Sequence, residues 1–236
     1  LLSALFLVVA LPVAVLVAIL SPLIGVVAGV VAGAAFVAWV WRSADASVTT
    51  GLSTRRSDAS SDPRLHNVLG GLCDTRGVRH PMVLVVEADA GNGAAFGRSP
   101  AVPHLLVTRG ALDALSRLEL EGLLARLLVP FANPNLAGAT VMVPVLGLLP
   151  ARLRRKIQGR FLADQRLLRD DFDAVGLTRY PPGLRGAYLA LAPRGTVVPG
   201  VRAGAAHLWV APAFEPGGST PDNPTLGERI DALGEL

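Results

Sequence analysis

Residues 1–41, LLSALFLVVALPVAVLVAILSPLIGVVAGVVAGAAFVAWVW, contain no charged side chain, and the first charge in the chain is Arg42. At about 1.5 Å of rise per residue, Leu1–Leu20 and the 19-residue run Leu23–Trp41 are each long enough to cross a hydrocarbon core of about 30 Å. Ser21-Pro22 is a natural break between them, so residues 1–43 are expected to form a transmembrane helical hairpin. Gly25, Gly29 and Gly33 place small residues on one face of the second helix, where a neighbouring backbone can approach closely. A cleaved signal peptide is the competing reading of the first run, but no basic flank precedes it and the second run would still anchor the chain. Arg42, Arg55 and Arg56 follow the second run, and the positive-inside rule then puts the body of the protein in the cytoplasm.

Beyond the hairpin, residues 44–61 are rich in Ser, Thr, Ala and Asp and are expected to be a linker. A folded domain over 62–236 is expected to open at Asp62-Pro63, an N-cap followed by a proline at the first helical position. Leu65, Val68, Leu69 and Leu72 then keep helical spacing. Strands are predicted near 82–87, 92–97 and 103–108, and an amphipathic helix over 111–129 ended by Pro130. Residues 136–149 are uncharged but too short for a full span and contain Pro144, so a re-entrant, interfacial or buried segment is expected there. Further helices are predicted over 152–175, from Pro181 to Leu191 and over 225–236, with a short strand at 206–211. The fold class is α+β: the hairpin, then a mainly helical domain with a small sheet.

The composition narrows the function. The chain has 236 residues, 51% of them hydrophobic and 17% charged, and its mean hydropathy is +0.48, which excludes a disordered chain. Cys73 is the only cysteine, so neither an internal disulfide nor a multi-cysteine metal site can form. A formal net charge of +4 is too small to imply a nucleic-acid partner by itself. Between Arg152 and Arg169, however, seven cations face the single acid Asp164. Arg152, Arg154, Arg155 and Lys156 follow an apolar segment directly, which favours lipid headgroups as their contact. A plain solvated helix face and, more remotely, a nucleic-acid surface are the other readings.

No local motif supplies catalysis. None of His66, His80, His104 and His207 has a histidine, cysteine or carboxylate four residues on along a clear helix, and no G-x-S-x-G, G-x-x-x-x-G-K or G-x-G-x-x-G run occurs. Taken in order, however, RLHNVLGGLC (64–73), VLVVEADAGNGAAFGRSP (83–100), LLVTRGALDALSRLELEGLLA (105–125), LTRYPPGL (177–184), AHLWVA (206–211) and PTLGERIDAL (224–233) resemble the HtpX-type family of membrane zinc metallopeptidases. The resemblance spans nearly the whole chain. It implies a zincin-like domain in a bacterial cytoplasmic membrane.

In that family an H-E-x-x-H helix gives two zinc-binding histidines and a general base, and a later helix gives a third ligand, a glutamate. At the matching positions this chain has Arg126, Leu127 and Pro130, then Leu167, and only Asp171 resembles the family's supporting aspartate. Arginine repels a cation, leucine has no lone pair and proline no side-chain donor. The resemblance therefore implies a catalytically inactive relative with no cofactor of its own, whose buried helix fills the old site with leucines. The competing enzyme reading needs a displaced metal site, for example His104, His207 and Asp171. In the family the stretch Asn92, Gly93, Ala94, Ala95, Phe96 and Gly97 corresponds to an edge strand able to pair with an extended peptide. The expected partners are membrane lipids and another membrane protein or protein segment, the latter held by a scaffold or regulator.

Overall fold

The computed structural model describes residues 1–19, 21–99, 101–161, 164–213 and 224–236, without the side chains of 159–161 and 164–166. Arg160 and Arg166 of the basic stretch thus lie outside the described side chains.

The chain begins with two helices, α1 (Leu2–Ala18) and α2 (Pro22–Thr49). They run antiparallel through the glycine strip: a Cβ on Gly25 would meet Ala14 and Ala18, one on Gly29 Ala10, and one on Gly33 Phe6. At Gly29 that Cβ would stand 2.5 Å from the Ala10 carbonyl oxygen, so only glycine permits the approach. Among the described residues α2 is the single helix with the length and apolarity of a membrane span, and α1, described over 17 residues, is shorter. The expected pair of spans is therefore corrected to one helix of membrane length with a shorter apolar helix packed on it.

The expected linker is also reassigned in its elements. α2 continues through Thr49, burying Val40, Ala44 and Val48, and β1 (Thr54–Arg56) becomes a strand of the sheet. α3 (Pro63–Arg76) follows, with Gly77 at φ 67° closing it in the left-handed region that suits glycine. Asp62 stands at the N-cap, but its carboxylate accepts from Arg55 and Ser57 and makes no cap bond.

The strands β2 (Met82–Val86), β3 (Gly93–Phe96) and β4 (His104–Thr108) complete a sheet of order β1-β2-β4-β3. β2 and β4 are parallel, while β1 and β3 pair antiparallel at the outside. The period of two divides the strands between two cores. Val83, Val85, Ala95, Leu105 and Val107 pack with α3 and the leucines of 120–128, and Val86, Ala94, Phe96 and Leu106 face a second cluster around Leu136, Val143 and Trp209. Cover on both faces accounts for continuous apolar runs in place of alternation.

The single helix expected over 111–129 is two. α4 (Arg109–Ala114) ends at extended Leu115, and Ser116 restarts the helix as α5 (Arg117–Leu128) with a reciprocal capping box to Glu119. Pro130 converts the end to a 3-10 turn, Val129–Ala132. α6 (Asn135–Leu148) is largely buried, against α2 and the 3-10 segment Ala203–Leu208. α7 (Ala151–Phe161), α8 (Asp164–Thr178) and α9 (Pro181–Leu191) come next, and α10 (Leu226–Gly234) closes the chain with a second capping box, Thr225 with Glu228. The strand predicted at 206–211 is the end of the 3-10 segment followed by one isolated bridge, Trp209 to Ala94.

Candidate functional site: a buried arginine–aspartate network

α5 is the central helix of the larger core, with Leu120, Leu123, Leu124, Leu127 and Leu128 fully enclosed. Gly122 lets α9 cross it closely, since a Cβ there would collide with the Leu184 amide nitrogen. Among these apolar residues lies Arg126, only 3% exposed. A buried guanidinium needs anionic partners to offset its lost hydration, and α8 supplies them. Arg126 Nε donates to Asp171 Oδ1 at 2.8 Å, and Nη2 lies 3.2 Å from Asp170 Oδ2.

Asp171, with no exposed surface, is shared by a second arginine. Arg229 of α10 donates from Nε to Asp171 Oδ2 and from Nη2 to Oδ1, both at 2.7 Å. The Tyr188 hydroxyl of α9 donates to Asp171 Oδ1 at 2.8 Å and accepts from Arg229, whose guanidinium carbon lies 4.5 Å from the tyrosine ring centroid. Burial works to raise the Asp171 pKa, but the hydrogen bond and charge of Arg229 and the charge of Arg126 outweigh it and hold the carboxyl below its usual value. Burial raises the Tyr188 pKa well above its normal range, so the phenol stays a donor. Four helices are thus tied at one carboxylate.

The four positions singled out by the resemblance come together. Arg126, Leu127, Pro130 and Leu167 line one cavity of about 40 Å³, whose wall also includes Ala95, Asp170 and residues 207–210. Those four positions do not suit zinc: they offer one cation and three side chains without a lone pair where three ligands and a base are required. Among the described residues no group of three His, Cys, Asp or Glu side chains could hold a metal ion. The displaced triad is not assembled either. His104 stacks on Phe96 with centroids 4.8 Å apart, His207 Nε2 lies 3.1 Å from the Ala139 carbonyl, and Asp171 is committed to its arginines.

The cavity is roofed by the chain itself. Val210 N–H donates to the Gly93 carbonyl at 2.9 Å beside the Trp209–Ala94 bridge, so residues 209–210 lie as a strap along the outer edge of β3. Asn92 clamps the strap: its Nδ2 donates to Ala211 O at 3.0 Å and its Oδ1 accepts from Ala211 N at 3.2 Å. Arg229 Nη1 holds the other side through Val210 O at 2.6 Å. The whole stretch Asn92–Gly97 is buried. The edge expected to receive an extended peptide therefore carries the chain's own residues 209–210 in this structure.

Sequence reasoning missed Tyr188 and Arg229. A signal was present, because Leu226, Arg229, Ile230 and Leu233 keep helical spacing and set an arginine in an apolar stripe.

Comparison with known proteins places the chain at a distance from the HtpX-type zinc metallopeptidases. It is 26% identical over 231 residues to the protease HtpX homolog of Dictyoglomus thermophilum, a match covering 83% of this chain and 76% of that protein. The protease HtpX homolog of Tropheryma whipplei is 27% identical over 221 residues, covering 77% and 75%. That of Dictyoglomus turgidum is 30% identical over 159 residues, about half of each chain. No family profile and no solved structure matches.

Proposed function

We propose that this chain is a catalytically inactive, membrane-anchored relative of the HtpX-type peptidases that works by holding a protein partner. The observation that carries the reading is the Arg126–Asp171 pair: a permanent cation, at the position the resemblance assigns to a zinc-binding histidine, is neutralised by the domain's own carboxylates. Hydrolysis would need a Lewis acid and a base, and Leu127, Pro130 and Leu167 can supply neither. Helix α2, with α1 packed on it, sits in a bacterial cytoplasmic membrane with the domain on the cytoplasmic side, as the arginines that follow the apolar run favour. The partner is a segment of another membrane protein, taken in extended form along Asn92–Gly97 when the strap at 209–210 leaves.

Elemental mass spectrometry of the detergent-solubilised full chain, exchanged into zinc-containing and then metal-free buffer, tests the loss of catalysis. Zinc far below one per chain is expected. One tightly held zinc per chain would overturn the reading and turn attention to protease assays.

A further inference from the structure

We infer that the outer face of α7 is a binding surface for anionic phospholipid headgroups at the membrane boundary. The inference goes beyond the proposed loss of catalysis and stands independently of it, resting only on α2 crossing the bilayer.

The argument begins with where the chain meets the apolar slab. Along α1 and α2 the large side chains from Leu7 to Val31 are mostly exposed, as lipid-facing residues are, and the exposed pair Trp39 and Trp41 followed by Arg42 marks the change to water. α6 packs against the helix pair at that level. Gly138 lies near Leu1, whereas Val141, Met142 and Leu146 pack with Leu5 and Val40, and Leu149 reaches the same cluster. The last turn of α6 exposes Leu148 to 70%, and the chain then turns at Pro150 into α7.

α7 is fixed to the body by its inner face. Ile157 joins the hairpin cluster with Leu2, Phe36 and Val37, and buried Gln158 donates to Ala203 O at 2.6 Å. Half-buried Arg154 turns back to the Leu149 carbonyl at 3.3 Å. The opposite face presents exposed Arg152, Arg155 and Lys156, and Leu153, 46% exposed, lies at its edge one turn before Ile157. Among the described residues no carboxylate pairs with these three cations. An unneutralised cationic face with a half-exposed leucine at its edge, held against the base of a membrane helix, matches acidic headgroups over acyl chains. A nucleic acid would find cations but no aromatic side chains on this face.

The test uses the full chain reconstituted in bilayer discs of mixed phosphatidylglycerol and phosphatidylcholine. After gentle extraction, the lipid retained per chain is read by native mass spectrometry. Phosphatidylglycerol should be enriched over phosphatidylcholine by roughly tenfold or more, the enrichment should fall with added salt, and the charge reversal R152E/R155E/K156E should abolish it. Reversal of the remote exposed Arg194 (R194E) should leave it intact. All these side chains are exposed, and circular dichroism checks that each variant is folded. Equal retention of the two lipids, or a preference that survives the triple reversal, overturns the inference. So does a triple variant that loses RNA binding while its lipid retention is unchanged. A chain washed off by alkaline carbonate overturns the membrane placement itself, whereas zinc content in the same preparation bears only on the proposed function.

Discussion

Arg126 Nε and Asp171 Oδ1 lie 2.8 Å apart with both residues shielded from solvent, and Asp171 is also held by Arg229 and Tyr188. Removing one member leaves the others differently exposed to an uncompensated charge. Arg126→Met leaves Asp171 with Arg229 and Tyr188 and should cost about 1–3 kcal/mol. Asp171→Asn leaves Arg229 without its carboxylate and Arg126 with Asp170 alone, and should cost about 3–5 kcal/mol. Denaturation midpoints of the two variants in the same detergent check the order. Equal losses would show that Arg126, not Arg229, dominates the network.

The same carboxylate sets the acid limit of the domain. Its folded pKa lies below the unfolded value, as does that of Asp62, where hydrogen bonds from Ser57 and Arg55 overcome the effect of burial. A depressed carboxyl contributes stability that is complete above the unfolded pKa of about 4 and is lost as pH falls through the folded one. Stability should therefore be level from about pH 5 upward and drop steeply below about pH 4. The Asp171→Asn variant should be weaker at neutral pH with a shallower acid limb. Thermal melts across that range show whether the two curves converge at low pH.

How far the sequence specified this arrangement depends on the scale of the cue. Strands of β-branched residues and helices with an apolar stripe were legible because burial on a fixed period writes them locally, as in Met82–Val86 and Pro63–Arg76. The break between α4 and α5 was also written, in Ser116-x-x-Glu119, but the leucine spacing runs through it and conceals it. β1 was not legible, since Thr54–Arg56 owes its extended form to pairing with Leu84–Val86 and not to its own composition. The degenerate positions could be named from the resemblance, and they do share one cavity. That Arg126 would find its counter-charge in Asp170 and Asp171, with Arg229 arriving from the last helix, depends on tertiary contacts 44 to 58 residues apart.

Cys73 offers a readout of global unfolding. It is fully buried on α3, and burial, with a smaller effect of Asp74, pushes its thiol up to about 11. At neutral pH the thiolate that reacts with maleimides is then almost absent, and the sulfur is inaccessible. Labelling of the native chain should be negligible over hours and should rise in step with loss of helical signal in denaturant. Rapid labelling without unfolding would mean that α3 opens locally.

The strap at 209–210 should be separable from the fold it covers. Val210→Pro deletes the donor to the Gly93 carbonyl, while Asn92 still binds Ala211 and Arg229 still finds the Val210 carbonyl. Loss of one buried backbone hydrogen bond costs about 1–3 kcal/mol, which loosens the segment without unfolding the α5 core. Amide exchange over Gly93–Phe96 should accelerate, and Trp209 emission should shift to the red as the indole meets water. If the β3 edge is the seat of partner binding, the variant should also bind an extended unstructured peptide several-fold more tightly than the parent chain. Faster exchange with no gain in peptide affinity would detach partner binding from this edge and leave the strap as simple cover for the core.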